Sequence, residues 1–130
     1  MQDKRKAFDL EERLIEFGLV TCSISEDLPA NRLGDHIADQ LIRSGTSPAS
    51  NYGEAQSAES RRDFIHKLRV CLKELRESRV WPKFIEHKST NPTDLLQSGL
   101  EECDELIAIL TKSVLTAEKN SRGQTTRYQK

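Results

Sequence analysis

Asp63 and His66 stand three positions apart, a carboxylate and an imidazole on one face of any helix that holds them. That is the geometry from which helix bundles build metal sites. A di-metal carboxylate centre needs a Glu-x-x-His on each of two helices and a further Glu on each of the other two. The chain has no Glu-x-x-His and only this one Asp-x-x-His. His36, between Asp35 and Asp39, offers an exposed metal contact, but its isolation fits a polar helix face better. Cys22, Cys71 and Cys103 are odd in number, far apart and without a C-x-x-C pair, so neither a zinc knuckle nor a disulfide framework is expected. Each is read as a small hydrophobe on an apolar face. There is no phosphate-binding G-x-x-x-x-G-K, nucleophile elbow or H-E-x-x-H. The expectation is a protein with no catalytic residues, no cofactor and no metal.

Charge is the next candidate chemistry. Twenty Lys and Arg against 21 Asp and Glu give a net charge of −1, so the chain as a whole is no polyanion binder. The distribution is uneven: cations dominate from Arg61 to Lys88 and acids from Asp94 to Ala117. Arg62, His66, Arg69, Lys73, Arg76 and Lys83 recur at steps of mostly three and four, which places them on one outward line opposite the Phe64 stripe. Three readings follow: a track for RNA or DNA phosphates, a contact with the acidic Glu101, Glu102, Asp104 and Glu105 of a neighbouring subunit, and a solvated face. A second polar set, Arg43, Asn51, Glu54, Lys67 and Glu74, is read as a structural network. Lys67 or Arg43 would satisfy Glu54 or Glu74 between two helices, because buried ions persist when paired, and Asn51 would serve backbone groups near Pro48. The alternative is a small ligand pocket between helices.

The elements that must position these groups are helical. With 130 residues, 32% charged, 5% aromatic, four prolines and six glycines, the chain suits one all-α domain. It has no signal-like or membrane-spanning apolar run and is expected in the cytoplasm. Four helices are predicted, at about 5–27, 32–57, 60–87 and 92–118, with a disordered tail over 119–130. The first carries Phe8, Ile15, Leu19 and Cys22 on one stripe, with Leu10, Leu14 and Phe17 beside it. The second starts after Asn31 as N-cap and turns Leu33, Ile37 and Leu41 inward. The third starts at Ser60, with Asp63 completing a near capping box, and carries Phe64, Leu68, Cys71, Leu75 and Ser78. The fourth opens at Asn91, Pro92 and Asp94 and carries Leu96, Leu100, Cys103, Ile107, Leu110 and Val114. Short connections make the fold an antiparallel up-down four-helix bundle.

The stretch RSGTSPASNYGEAQSAES, Arg43 to Ser60, continues the second helix's seam through Ser44, Ser47, Asn51, then Glu54 or Ala55, and Ala58. The seam turns small, so helix axes approach closely. Pro48 cannot donate to the Ser44 carbonyl and is expected to kink this helix. Gly45 and Gly53 lower its intrinsic stability.

The run QLIRSGTSPASNYGEAQSAESRRDFIHKLRVCLKELRES followed by Trp81 resembles the bacterial four helix bundle proteins, also called 23S rRNA intervening-sequence proteins. Gln40, Leu41, Arg43, Ser44, Ser47, Asn51, Glu54, Ala55, Ser60, Asp63, Phe64, Lys67, Leu68, Lys73, Glu74, Glu77 and Trp81 carry the resemblance, and CDELIAILTKSV in the fourth helix adds to it. It departs from the pattern at Pro48, where Ile is common, and at Pro82, where Leu is usual; Pro82 is expected to kink the third helix or end it a turn early. The resemblance implies an up-down bundle that assembles into a ring, typically a homopentamer, and implies no enzyme. A related branch binds nucleic acid through a strongly basic surface. Two functions are therefore expected: a ring-forming scaffold or adaptor, or an accessory nucleic-acid binder using the basic face of the third helix. Trp81 is expected to close one end of the bundle, with an interface anchor as the alternative.

Overall fold

The computed structural model describes residues 9–89 and 93–128, with side chains through residue 122. Its elements are α1 (Leu10–Glu26), α2 (Arg32–Gln56), α3 (Arg61–Lys88) and α4 (Asp94–Tyr128). No strand occurs among the described residues. The helix starts follow from their caps. The Asn31 side chain accepts from the Gly34 N–H at 2.8 Å and Ser60 Oγ from the Asp63 N–H at 3.0 Å, each quieting one of the unpartnered donors of a first turn. Asp9 does the same for α1 through the Glu12 N–H. At α4 the hydroxyl of Thr93 accepts from the Leu96 N–H at 3.2 Å; Asn91 and Pro92, expected there, lie outside the described residues.

α1 packs on α2 and α4, and α3 packs on α2 and α4, while α1 and α3 stand diagonally with no close backbone approach. Cross-helix pairs descend along one helix as they rise along the next. Arg43 meets Glu77 and Glu54 meets Lys67 between α2 and α3; Arg69 meets Glu118 and Arg79 meets Asp104 between α3 and α4. The core is aliphatic: Leu14, Leu41, Leu68, Leu75, Leu96, Leu106 and Leu110 are fully buried with the thiols of Cys71 and Cys103. Each such leucine stabilises the bundle by about 1.5–3 kcal/mol relative to an exposed one.

Three expected inward faces turn out differently. On α1 the buried side is Leu14, Phe17, Gly18, Thr21, Ile24 and Ser25, whereas Ile15 and Leu19 are 43% and 63% exposed. The reason is the α1–α2 approach: small residues are needed where Gly18 meets the backbone of Gly45 and Thr46, and where Thr21 meets Gly45. Thr21 and Ser25 satisfy their hydroxyls on the carbonyls of Gly18 and Thr21, so a polar face is buried at little cost. On α2, Leu33 is exposed while Ile37 and Leu41 are buried: Leu33 lies in the first turn, at the open end of the bundle. On α4, Leu106 is fully buried and Ile107 only partly.

Both internal prolines are accommodated. α2 runs unbroken from Arg32 to Gln56 through Pro48, whose ring is buried and whose carbonyl accepts from the Cys71 thiol at 3.4 Å. α3 continues through the buried Pro82 to Lys88, rather than ending a turn early: tertiary packing on both sides outweighs one missing helix bond. α4 is helical to Tyr128, in place of the tail expected from Lys119. Among the described side chains the last buried one is Ala117; extension of a formed helix adds one bond per residue fixed and needs no new nucleus.

Candidate assembly and nucleic-acid interface

The basic line divides into paired and unpaired members. Arg69 reaches Glu118 on α4 at 2.8 Å, and Lys83 reaches Glu86 on its own helix at 3.3 Å. Arg79, off the line, meets Asp104 at 2.5 Å. That carboxylate, as hydrogen-bond acceptor and neighbouring charge, raises the Arg79 pKa. Part of the acidity of α4 is thus matched by the chain's own α3. Glu102 is likewise held by Arg13 of α1 at 2.6 Å, a pairing that raises the guanidinium's pKa. Arg62, His66, Lys73 and Arg76 are exposed and form no ion pair among the described residues.

The second polar set lies along the α2–α3 seam. Arg43 bridges Glu74, at 3.1 Å, and Glu77, and also donates to Gln40. Lys67 stands 3.7 Å from Glu54. Asn51 donates to the backbone carbonyl and the hydroxyl of Ser47, not to the Ser44 carbonyl that Pro48 leaves without its donor. These pairs are peripheral: Arg43 is half exposed and Glu54 is 57% exposed. A cavity of about 350 Å³ opens at the end of the bundle among Ile24, Leu28, Leu33, Ile37, Phe84, Ile85 and Leu96. None of the five polar residues lines it.

Trp81 sits at the same end. Its indole N–H donates to Glu77 at 3.2 Å, its ring stacks on Phe84 with centroids 5.5 Å apart, and His36 meets it edge-on at 5.6 Å. The offset stack fixes both rings. Phe84 remains 51% exposed and Val80, one turn earlier, is exposed too. No sequence signal marked this pair, because Val80 and Phe84 continue the outward basic line and carry no periodicity of their own.

The remaining chemical candidates are dispersed. Asp63 and His66 are exposed, and Asp63 serves the Ser60 cap through its backbone. Among the described residues no cluster of three or more His, Cys, Asp or Glu is placed to hold a metal ion. Burial pushes the Cys71 and Cys103 thiols up to about 12, which keeps them protonated and poor nucleophiles. Cys22 is half-buried. No helix among the described residues is long and apolar enough to cross a membrane.

The chain is similar in fold to a solved protein of unknown function from the S23 ribosomal protein family of Bacteroides thetaiotaomicron, with a TM-score of 0.70 and 24% identity over 81% of this chain and 97% of that one. No curated protein matches it. Residues 6–112 match the family described as 23S rRNA-intervening sequence protein. With that match covering most of a four-helix, all-α chain, the protein belongs to the 23S rRNA-intervening sequence protein family.

Proposed function

We propose that the protein is a non-enzymatic cytoplasmic scaffold whose subunits close into a ring, five being the number that the family resemblance implies. One observation carries this reading: large apolar side chains stand exposed on all four helices, Ile15 and Leu19 on α1, Leu33 and Ile42 on α2, Val80 and Phe84 on α3, and Leu115 on α4. Single exposed leucines are ordinary, but pairs one turn apart on two non-adjacent helices form patches that a partner would cover. Patches on different sides of a subunit suit head-to-tail contacts, which close into rings when the rotation permits. Size-exclusion chromatography with light scattering over a wide dilution range tests the reading. A single species at a fixed multiple of the 14.8 kDa chain is expected; a monomer at all concentrations overturns it.

A second reading is favoured by the exposed Arg62, Lys73 and Arg76, with His66 on the same line, which form no ion pair among the described residues: accessory binding of RNA or DNA along α3. Aligned cations release counterions on binding a phosphate backbone, so affinity would fall steeply with salt. Gel-shift titration at two salt concentrations, with charge reversal at Lys73 and Arg76, tests it. Weak binding, equal at both salts and in the variant, excludes it.

A further inference from the structure

α1 and α3 lie diagonally across the bundle with no close backbone approach, and their outer faces are complementary. The exposed residues of α1 are Glu11, Glu12, Ile15, Glu16, Leu19, Ser23 and Glu26: four acids, two aliphatics and one serine, with no cation. Its one basic residue, Arg13, is turned to Glu102. Apart from Asp63, every exposed residue of α3 is a cation, a histidine, Val80 or Phe84. Its other acids are less exposed and occupied: Glu74 and Glu77 by Arg43, Glu86 by Lys83 and Gln97. The exposed faces of α2 and α4 mix both signs.

We infer that the α3 face of one subunit docks on the α1 face of the next, so that across the interface the acidic partner of the C-terminal part of the basic line is α1 rather than α4. This rests on the ring proposed above. The occupant is a second copy because the complementary surface is supplied by the chain itself, and opposite charge flanking an apolar pair on each side gives both attraction and register. Both faces being on one subunit, at opposite sides, makes the contact heterologous.

With the bundles standing along the ring axis, cyclic symmetry keeps every subunit pointing the same way, so the two docked helices, first and third in an up-down bundle, run parallel. Ile15 and Leu19 are four residues apart, as are Val80 and Phe84. Setting Ile15 level with Val80 sets Leu19 level with Phe84. One turn earlier, Arg76 then stands level with Glu11 and beside Glu12, each about 6 Å along its helix from the apolar pair. One turn beyond Phe84, His87 and Lys88 approach Glu26. Arg62, His66 and Lys73 lie beyond this contact, as does Arg69 on its Glu118.

Charge exchange tests the pairing. Arg76→Glu and Glu12→Arg are each expected to shift the assembled wild-type chain toward monomer, while the chain carrying both regains the wild-type mass; circular dichroism confirms that every variant is helical. Phe84→Asp and Leu19→Asp, both at exposed positions, are expected to give folded monomers. If the wild type assembles but neither the charge nor the apolar variants change its mass, the α1–α3 contact is wrong and the scaffold stands. If the wild type is itself monomeric, both are wrong.

Discussion

A β-carbon placed on Gly45 would lie 2.2 Å from the Thr21 hydroxyl, so α1 and α2 touch where neither has room for one more methyl group. Gly45→Ala is therefore expected to destabilise by about 1–2 kcal/mol: overpacking costs roughly 1–3 kcal/mol, and the alanine's better helix propensity returns up to about 1 kcal/mol. Among the described residues, a β-carbon on Gly53 would meet only Glu11, at 3.6 Å, an ordinary contact. Gly53→Ala should stabilise by about 0.5–1 kcal/mol. Urea denaturation of the two variants reads the opposite signs.

The polar pairs between α2 and α3 differ in what they support. Glu54 is mostly in water and 3.7 Å from Lys67, so Glu54→Gln should change stability by no more than about 0.5 kcal/mol. Arg43 holds Glu74, whose side chain is only 14% exposed, as well as Glu77. Arg43→Ala leaves both carboxylates without their cation and is expected to cost about 1 kcal/mol, an effect that added salt should diminish.

The buried thiols give a pH dependence of definite sign. Cys71 and Cys103 titrate near 12 in the folded chain against an ordinary 9.0, because burial disfavours the thiolate. The unfolded chain therefore loses these protons first as pH rises. Their contribution is fully present below about pH 9 and is lost progressively toward 12. Cys71→Ala should lower the melting temperature at neutral pH, by leaving a small void, but should fall less steeply than the wild type under alkaline conditions. With an aromatic disulfide reagent at neutral pH, Cys22 should react ahead of the other two.

Much of this architecture is legible in the residues. Asn31 and Ser60 announce two helix starts through side-chain chemistry that needs no tertiary partner, and the Leu68, Cys71, Leu75 series marks the inner face of α3 because core leucines recur at that step. The inner face of α1 was hidden for the same reason. Periodicity reports an apolar stripe without saying what covers it, so Ile15 and Leu19 read as core, while the true contact is made by Gly18, Thr21 and Ser25, whose hydroxyls are satisfied within their own helix. The basic line was visible as a line. Which of its members are engaged was not, because Arg69 finds Glu118 only once α3 and α4 are side by side. The Trp81–Phe84 stack is local to α3, and only its edge contact with His36 of α2 depends on packing between helices.

The most direct test of the assembly is covalent capture across its contact. In a chain carrying Cys22→Ser, Leu19→Cys and Phe84→Cys, mild oxidation should join the α1 face of each subunit to the α3 face of the next. Denaturing gels would then show a ladder of multimers ending at the mass of the ring. Either single cysteine alone should give no ladder. An uncross-linked chain, or a product that stops at the dimer, would contradict head-to-tail docking of these two faces.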